Sequence, residues 1–255
     1  MRGRNFILDG LNRLKLNCDK TDVITIGTKK QLETTSIKEI TVDSCRVIPS
    51  ECVKNLGCFI DKNLTMSNHV SAICKATFYH LRNIGKILKL LDVKSAQMIV
   101  SSLVISRLDY CNSLLAGLPA NLLDKLQKVQ NQAARIVSLV KKREHITPIL
   151  MNLHWLPVRE RINFKVLCHI FRCQSGSAPE YLQNTIKQYQ PQRSLRSEAK
   201  SVLEIPKTKT CLGDRAFSVY GPKLWNDLPE YIKTCPTVEA FKRQLKTYLF
   251  RQTYS

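Results

Sequence analysis

The stretch Leu14-Lys-Leu-Asn-Cys-Asp-Lys-Thr-Asp-Val-Ile-Thr-Ile-Gly27 changes its pattern part-way along. Phe6, Leu8, Leu11 and Leu14 carry the spacing of a helix over 6–16, Asn17 and Asp19 favour a stop and a turn, and residues 23–26 read as a strand. A second stretch follows, Val53-Lys-Asn-Leu-Gly-Cys-Phe-Ile-Asp61. Further strands are expected at 39–42, 46–48 and 55–60, separated by turn signals at Gly27, Asp43-Ser44 and Pro49-Ser50. Residues 1–62 therefore read as an α+β piece with too few strands to bury both faces, the edge of a larger sheet.

Beyond this piece the periodicity is helical. From Ser67, an N-cap candidate, Val70, Ile73, Thr77, Leu81, Ile84 and Leu88 recur every three or four residues and mark a core face. Lys75, Tyr79, Arg82, Lys86 and Lys89 fall on nearly the opposite side. Two readings of that stripe stay open: an ordinary solvated face, or, with no acid interleaved and one aromatic among the cations, a surface that follows a nucleic-acid backbone. Asp92 can cap a second helix over 93–115, whose wide apolar arc (Ala96, Ile99, Val100, Leu103, Val104, Leu108, Cys111, Leu115) predicts a central position. Gly117 and Pro119 end it and start a third. There Leu122, Leu126, Val129, Ala133, Ile136 and Val140 point inward, with Lys125, Lys128 and Arg135 along the flank. Short connections favour a three-helix bundle.

The remainder reads as mixed and mainly helical. A short helix and turn are expected over 144–157, a helix opening at Pro157, a short helix over 178–189, an exposed linker over 190–201 and a short strand over 202–205. Thr237 should cap a terminal helix with Val238, Phe241, Leu245 and Leu249 inward and Lys242, Arg243 and Lys246 outward. A membrane-surface helix carries a similar pattern.

Forty Lys plus Arg stand against twenty Asp plus Glu, a formal +20 in 255 residues. Such a balance suits a polyanionic partner, because neutralised phosphates release condensed counterions. Nucleic acid is the favoured polyanion and an anionic membrane surface the competitor. No secretory signal is legible, and the most apolar window, 98–115, contains Arg107 and Asp109, which argues against a membrane span. An intracellular location, nuclear or cytoplasmic, is expected. So are reduced thiols for the ten cysteines.

The chemistry-bearing patterns are thin. Two-metal nucleotidyl transfer needs closely placed carboxylates, yet no two acidic residues are adjacent anywhere in the chain. His169 and Cys173, four apart on a helix, could form half a zinc site, but no Cys-x-x-Cys completes one, so no metal is assigned. Nucleophile elbows and Gly-rich phosphate loops are also missing. Trp155 and Trp225 read as packing anchors ahead of base-stacking platforms.

Several short motifs in fixed order nevertheless point one way. They are Leu-Asn-x-x-Lys-Thr ending at Thr21, Leu56-Gly57, Ser106-Arg-Leu-Asp-Tyr-Cys-Asn112, Leu126-Gln-Lys-Val-Gln-Asn-Gln-Ala-Ala-Arg135, His154-Trp-Leu-Pro-Val-Arg-Glu-Arg161, Gly213-Asp-Arg-Ala-Phe-Ser218 and Leu224-Trp-Asn-Asp-Leu-Pro229. In this order they resemble the C-terminal half of jockey-like, LINE-type (non-LTR) retrotransposon reverse transcriptases. The resemblance implies a partial palm over 1–66, a thumb-like bundle over 67–143 and a basic C-terminal region over 144–255.

By the same resemblance Lys20 matches the palm lysine near the incoming nucleotide, and Leu56-Gly57 the primer-grip turn. Lys75, Tyr79, Arg82, Lys86, Lys89, Lys125, Lys128 and Arg135 become contacts to RNA or an RNA–DNA duplex. Intact members of that family would use Mg2+. This chain lacks the Tyr/Phe-x-Asp-Asp loop and the earlier metal-binding strand, so the expectation is a truncated polymerase fragment that needs no cofactor and does not catalyse alone. A basic, non-enzymatic structural or membrane-peripheral protein is the alternative class.

Overall fold

A computed structural model describes residues 17, 20–35, 37–42, 45–141, 143–190 and 201–254. The chain is α+β and predominantly α, with two small antiparallel sheets. It divides into two compact units, one ending at His69 and the other beginning at Val70. The helix expected over 6–16, the turn residue Asp19 and most of the linker expected over 190–201 lie outside the described residues.

In the first unit, helix α1 (Lys29–Thr34) opens with a capping box: Gln31 N–H donates to the Thr28 hydroxyl, and Thr28 N–H donates to Gln31 Oε1 at 3.0 Å. Strands β1 (Ile40–Val42) and β2 (Cys45–Val47) form one hairpin. β3 (Cys52–Asn55) and β4 (Cys58–Asp61) form another. The strand expected at 23–26 does not form. Its segment is pinned at two points instead, Ser50 N–H donating to Val23 O and Gly27 N–H to Lys62 O, which are too far apart to make a ladder. The single strand expected over 55–60 is likewise a hairpin. Leu56 and Gly57 both have positive φ, 46° and 84°, as a two-residue type I′ turn requires.

After β4 the Asp61 carboxylate collects the turn that leads into the next helix. It accepts from the backbone N–H of Asn63, Thr65 and Met66 and from the Thr65 hydroxyl, at 2.8–3.2 Å. Burial works to raise its pKa, but these donors together hold it below the usual carboxylate value. Ser67 is consequently the first helical residue and not the cap that its sequence position suggested.

In the second unit, the part of helix α2 (Ser67–Ile87) beyond His69 buries Val70, Ile73, Thr77, Leu81 and Ile84, the face that periodicity predicts. The central helix is not continuous. Asp92 caps α3 (Val93–Val100) through Ser95 N–H at 3.0 Å, a π-helical turn follows at Ser101–Ile105, and α4 (Ser106–Asp109) ends the run. Cys111 then takes a left-handed φ of 51° before a 3-10 turn at Asn112–Leu115. The π turn shifts the inward face by one residue, so Val104 and Ile105 are both buried while Leu103 is exposed.

Gly117 (φ 65°) and Pro119 lead into α5 (Ala120–Ser138), which buries Leu122, Leu126, Val129 and Ala133. Helix α6 (Ile146–Asn152) precedes α7 (Val158–Gln174), with Pro157 at the N-cap. The helix expected over 178–189 shortens to α8 (Glu180–Gln183), and the strand expected over 202–205 to one bridge between Gln188 and Leu203. Helices α9 (Cys211–Asp214), α10 (Phe217–Asn226), α11 (Glu230–Lys233) and α12 (Val238–Tyr254) complete the chain. Thr237 caps α12 by accepting from Ala240 N–H. The main core lies among α7, α10 and α12, where Phe171 and Phe241 stack at 4.2 Å between centroids and Trp225 tilts against both.

Candidate nucleic-acid interface

All five stripe residues are exposed, Tyr79 at 63%; four stand on α2, whereas Lys89, expected on the same helix face, lies in the 3-10 turn Leu88–Leu90 that follows it. The helical step that buries Val70, Ile73, Thr77, Leu81 and Ile84 turns Lys75, Tyr79, Arg82 and Lys86 outward. No carboxylate among the described residues lies within ion-pairing distance of the four stripe cations. Phe78 is also exposed beside Tyr79, and the Tyr79 ring meets His80 edge-on at 5.6 Å.

The α5 cations divide. Lys125 and Lys128 are exposed, and Lys125 lies near α2: burial pushes the Cys74 thiol pKa up while the Lys125 ammonium works against that rise. Arg135 is half-buried, and its Nη2 donates to the Glu144 carbonyl at 3.3 Å, so its guanidinium closes the turn after α5. Lys20 and the Leu56-Gly57 turn belong to the other unit, both exposed. Lys20 N–H donates to Asn17 O, as does the Thr21 hydroxyl.

The ordered motifs of the second unit are joints between elements. Arg161 grips Asp109 with two nitrogens, Nε–Oδ1 at 2.8 Å and Nη2 on Oδ2. Gln130 donates to Leu156 O at 2.8 Å, and Gln127 accepts from Val158 N–H at 2.8 Å, fastening α5 to the start of α7. Arg215 donates to Ala116 O, beside Gly117, where a Cβ would stand 2.7 Å from Arg215 Cγ. Asn226 clamps Leu203 by accepting from its N–H and donating to its carbonyl, both at 2.9 Å. The Trp225 indole donates to Ser201 O, so this Trp is a core anchor.

A two-metal centre does not fit these residues. The carboxylate of Asp109 is committed to Arg161, and among the described residues no three His, Cys, Asp or Glu converge. Cys168 and Cys173 are buried, which raises both thiols, Cys168 to about 11. His169 is pushed down by burial and then by Lys165 and Arg172.

The periodicity of single helices did not find a convergence of Asn112, Lys165 and Lys246 around one cavity. These residues come from three separate segments, so no local spacing signals the grouping. Among the described residues no helix is long and apolar enough to cross a membrane. No protein-family model, curated protein or solved structure matches the chain.

Proposed function

We propose that this chain is the palm-rim, thumb and C-terminal part of a jockey-like non-LTR reverse transcriptase, and that it binds RNA or an RNA–DNA duplex without catalysing synthesis alone. The observation that carries the binding reading is the row of four exposed cations, Lys75, Arg82, Lys86 and Lys89, with no carboxylate partner and with Tyr79 among them. Lys75, Arg82 and Lys86 on one helix face, with Lys89 on the turn that follows it, would meet successive phosphates while displacing condensed counterions. The aromatic ring offers a surface to an unpaired base.

The membrane-peripheral alternative is weaker on one point. Helix α12, which best resembles a surface-lying amphipathic helix, buries Phe241, Leu245 and Leu249 in the core and has no free apolar face for lipid.

The test is duplex binding measured by fluorescence anisotropy across a salt series. Each phosphate contact contributes a slope of about −0.9 in log K against log salt, so four cations give roughly −3 to −4. Arg82→Glu with Lys86→Glu should weaken binding at least tenfold with unchanged circular dichroism. Absence of binding at about 50 mM salt, or stronger binding to anionic vesicles than to duplex, would defeat this reading.

A further inference from the structure

We propose that a basic patch shared by α7 and α12, built from Lys165, Arg172, Lys242 and Lys246, binds the phosphates of a single-stranded nucleic acid. It extends the nucleic-acid reading above to a second surface and has no residue in common with the α2 row.

The four cations belong to two helices that pack along each other. Lys165, His169 and Arg172 are spaced by four and then three residues, one strip of α7 about 10 Å long. Lys242 and Lys246 lie one turn apart on α12, whose Phe241, Leu245 and Leu249 enter the core that holds α7. Two observations join the strips. Lys165 and Lys246 line the same cavity. Burial raises the Cys168 thiol, and Lys242, Lys165 and Arg172 all work against that rise, so charges from both helices come close to one sulfur. His169, between Lys165 and Arg172 on the strip, is lowered first by burial and then by both of those cations.

Lys165, Arg172 and Lys246 are exposed and Lys242 is half-buried, and among the described residues none of the four has a carboxylate within ion-pairing distance. Asp109 also lines the cavity but is held by Arg161, and those two charges offset each other. Glu239, one turn before Lys242 on α12, forms no ion pair among the described residues. Four like charges gathered in this way repel one another in the free chain and gain most from a polyanion whose condensed counterions they displace.

Two features choose among polyanions. Among the described residues neither α7 nor α12 exposes a large hydrophobic side chain, so the patch has nothing to insert into a lipid surface. The cations are also spread over two helices, whose axes pack roughly 8–10 Å apart. A duplex holds its phosphates in fixed rows, whereas a single strand can bend to bring successive phosphates to both helices.

Fluorescence anisotropy with a single-stranded RNA dodecamer tests the patch. The full chain carrying Arg82→Glu and Lys86→Glu, which take the α2 row out of play, should still bind at about 50 mM salt. Adding Lys165→Gln, Arg172→Gln and Lys246→Gln should weaken that binding at least tenfold and flatten the salt slope by about 2, at about 0.7 per contact. Circular dichroism checks that the fold is kept. Should the combined variant unfold, NMR of the unaltered chain decides: the His169 ring resonances should move when the RNA is added, because phosphates settling between Lys165 and Arg172 change the field at the ring. No binding by the α2-altered chain, indifference to the three further changes, or unmoved His169 resonances would overturn the proposal and leave the α2 reading standing. Equal affinity for a polyglutamate of the same charge, or tighter binding to anionic vesicles, would overturn it too, by assigning the patch to acidic protein or lipid. If duplex binding ignores Arg82→Glu with Lys86→Glu while strand binding is lost with the α7 and α12 changes, the α2 reading fails and this one holds.

Discussion

Arg161 holds Asp109 through two nitrogen–oxygen contacts across fifty-two residues of sequence, tying the end of α4 to the first turn of α7. Both side chains are half-buried, so the pair is screened less than a surface bridge, and each partner compensates the other's lost hydration. Arg161→Ala and Asp109→Ala should each lower stability by about 1–3 kcal/mol. The double variant should fall short of their sum, with a coupling of about 1 kcal/mol or more. Arg161→Lys should not rescue, because an ammonium cannot match the two-pronged geometry. Chemical denaturation of the four proteins measures the cycle, and strict additivity would show that the contact contributes nothing.

Gly221→Ala should destabilise the main core by about 1–3 kcal/mol, the range for overpacking. A Cβ at Gly221 would stand 2.5 Å from Ile170 Cδ1, and Ile170 is fully buried with nowhere to retreat. Thermal unfolding reads the shift. A neutral result would mean that α10 can move away from α7.

Leu56→Asn should stabilise the β3–β4 hairpin by about 0.5–1 kcal/mol, since Asn tolerates positive φ far better than Leu and Asn-Gly favours a type I′ turn. Leu56 is 83% exposed, so little burial is lost. Hydrogen exchange of the Ile60 amide, opposite Val53 in the hairpin, would register the gain. Slower folding or faster exchange would indicate that Leu56 is held by something beyond the turn.

His69 should make the first unit sensitive to acid. It is buried, its Nδ1 accepts from Phe59 N–H at 3.4 Å, and its Nε2 has no partner. Burial lowers its pKa below the ordinary 6.5. The unfolded histidine thus takes up a proton first as pH falls, and the stability His69 contributes is complete above 6.5 and declines from there down to the folded pKa. NMR titration of the ring should show the depressed midpoint. His69→Gln should flatten stability across that window; an unchanged profile would assign the acid sensitivity elsewhere.

Much of this fold was legible because helices are local. The caps at Asp92 and Thr237, Pro157 at a helix start and the buried faces of α2 and α5 all follow from spacing within about twenty residues. The strand at 23–26 failed for the opposite reason. Val-Ile-Thr-Ile has the composition of a strand, but a strand exists only where a partner makes successive ladder bonds, and here two isolated backbone bonds, at Val23 and Gly27, hold the segment. The π turn at Ser101–Ile105 was equally hidden, because a wide apolar arc does not say which residue will be turned outward.

The candidate surfaces divide in the same way. The sequence by itself determined the basic stripe, since the 100° step that buries Val70, Ile73, Thr77, Leu81 and Ile84 must expose Lys75, Arg82 and Lys86. Only the tertiary structure decided that Arg135 closes a turn, that Asp109 belongs to Arg161, and that Asn112 meets Lys165 and Lys246 around one cavity. Period is written in neighbouring residues, whereas a contact between side chains dozens of residues apart exists only once the helices that carry them have packed.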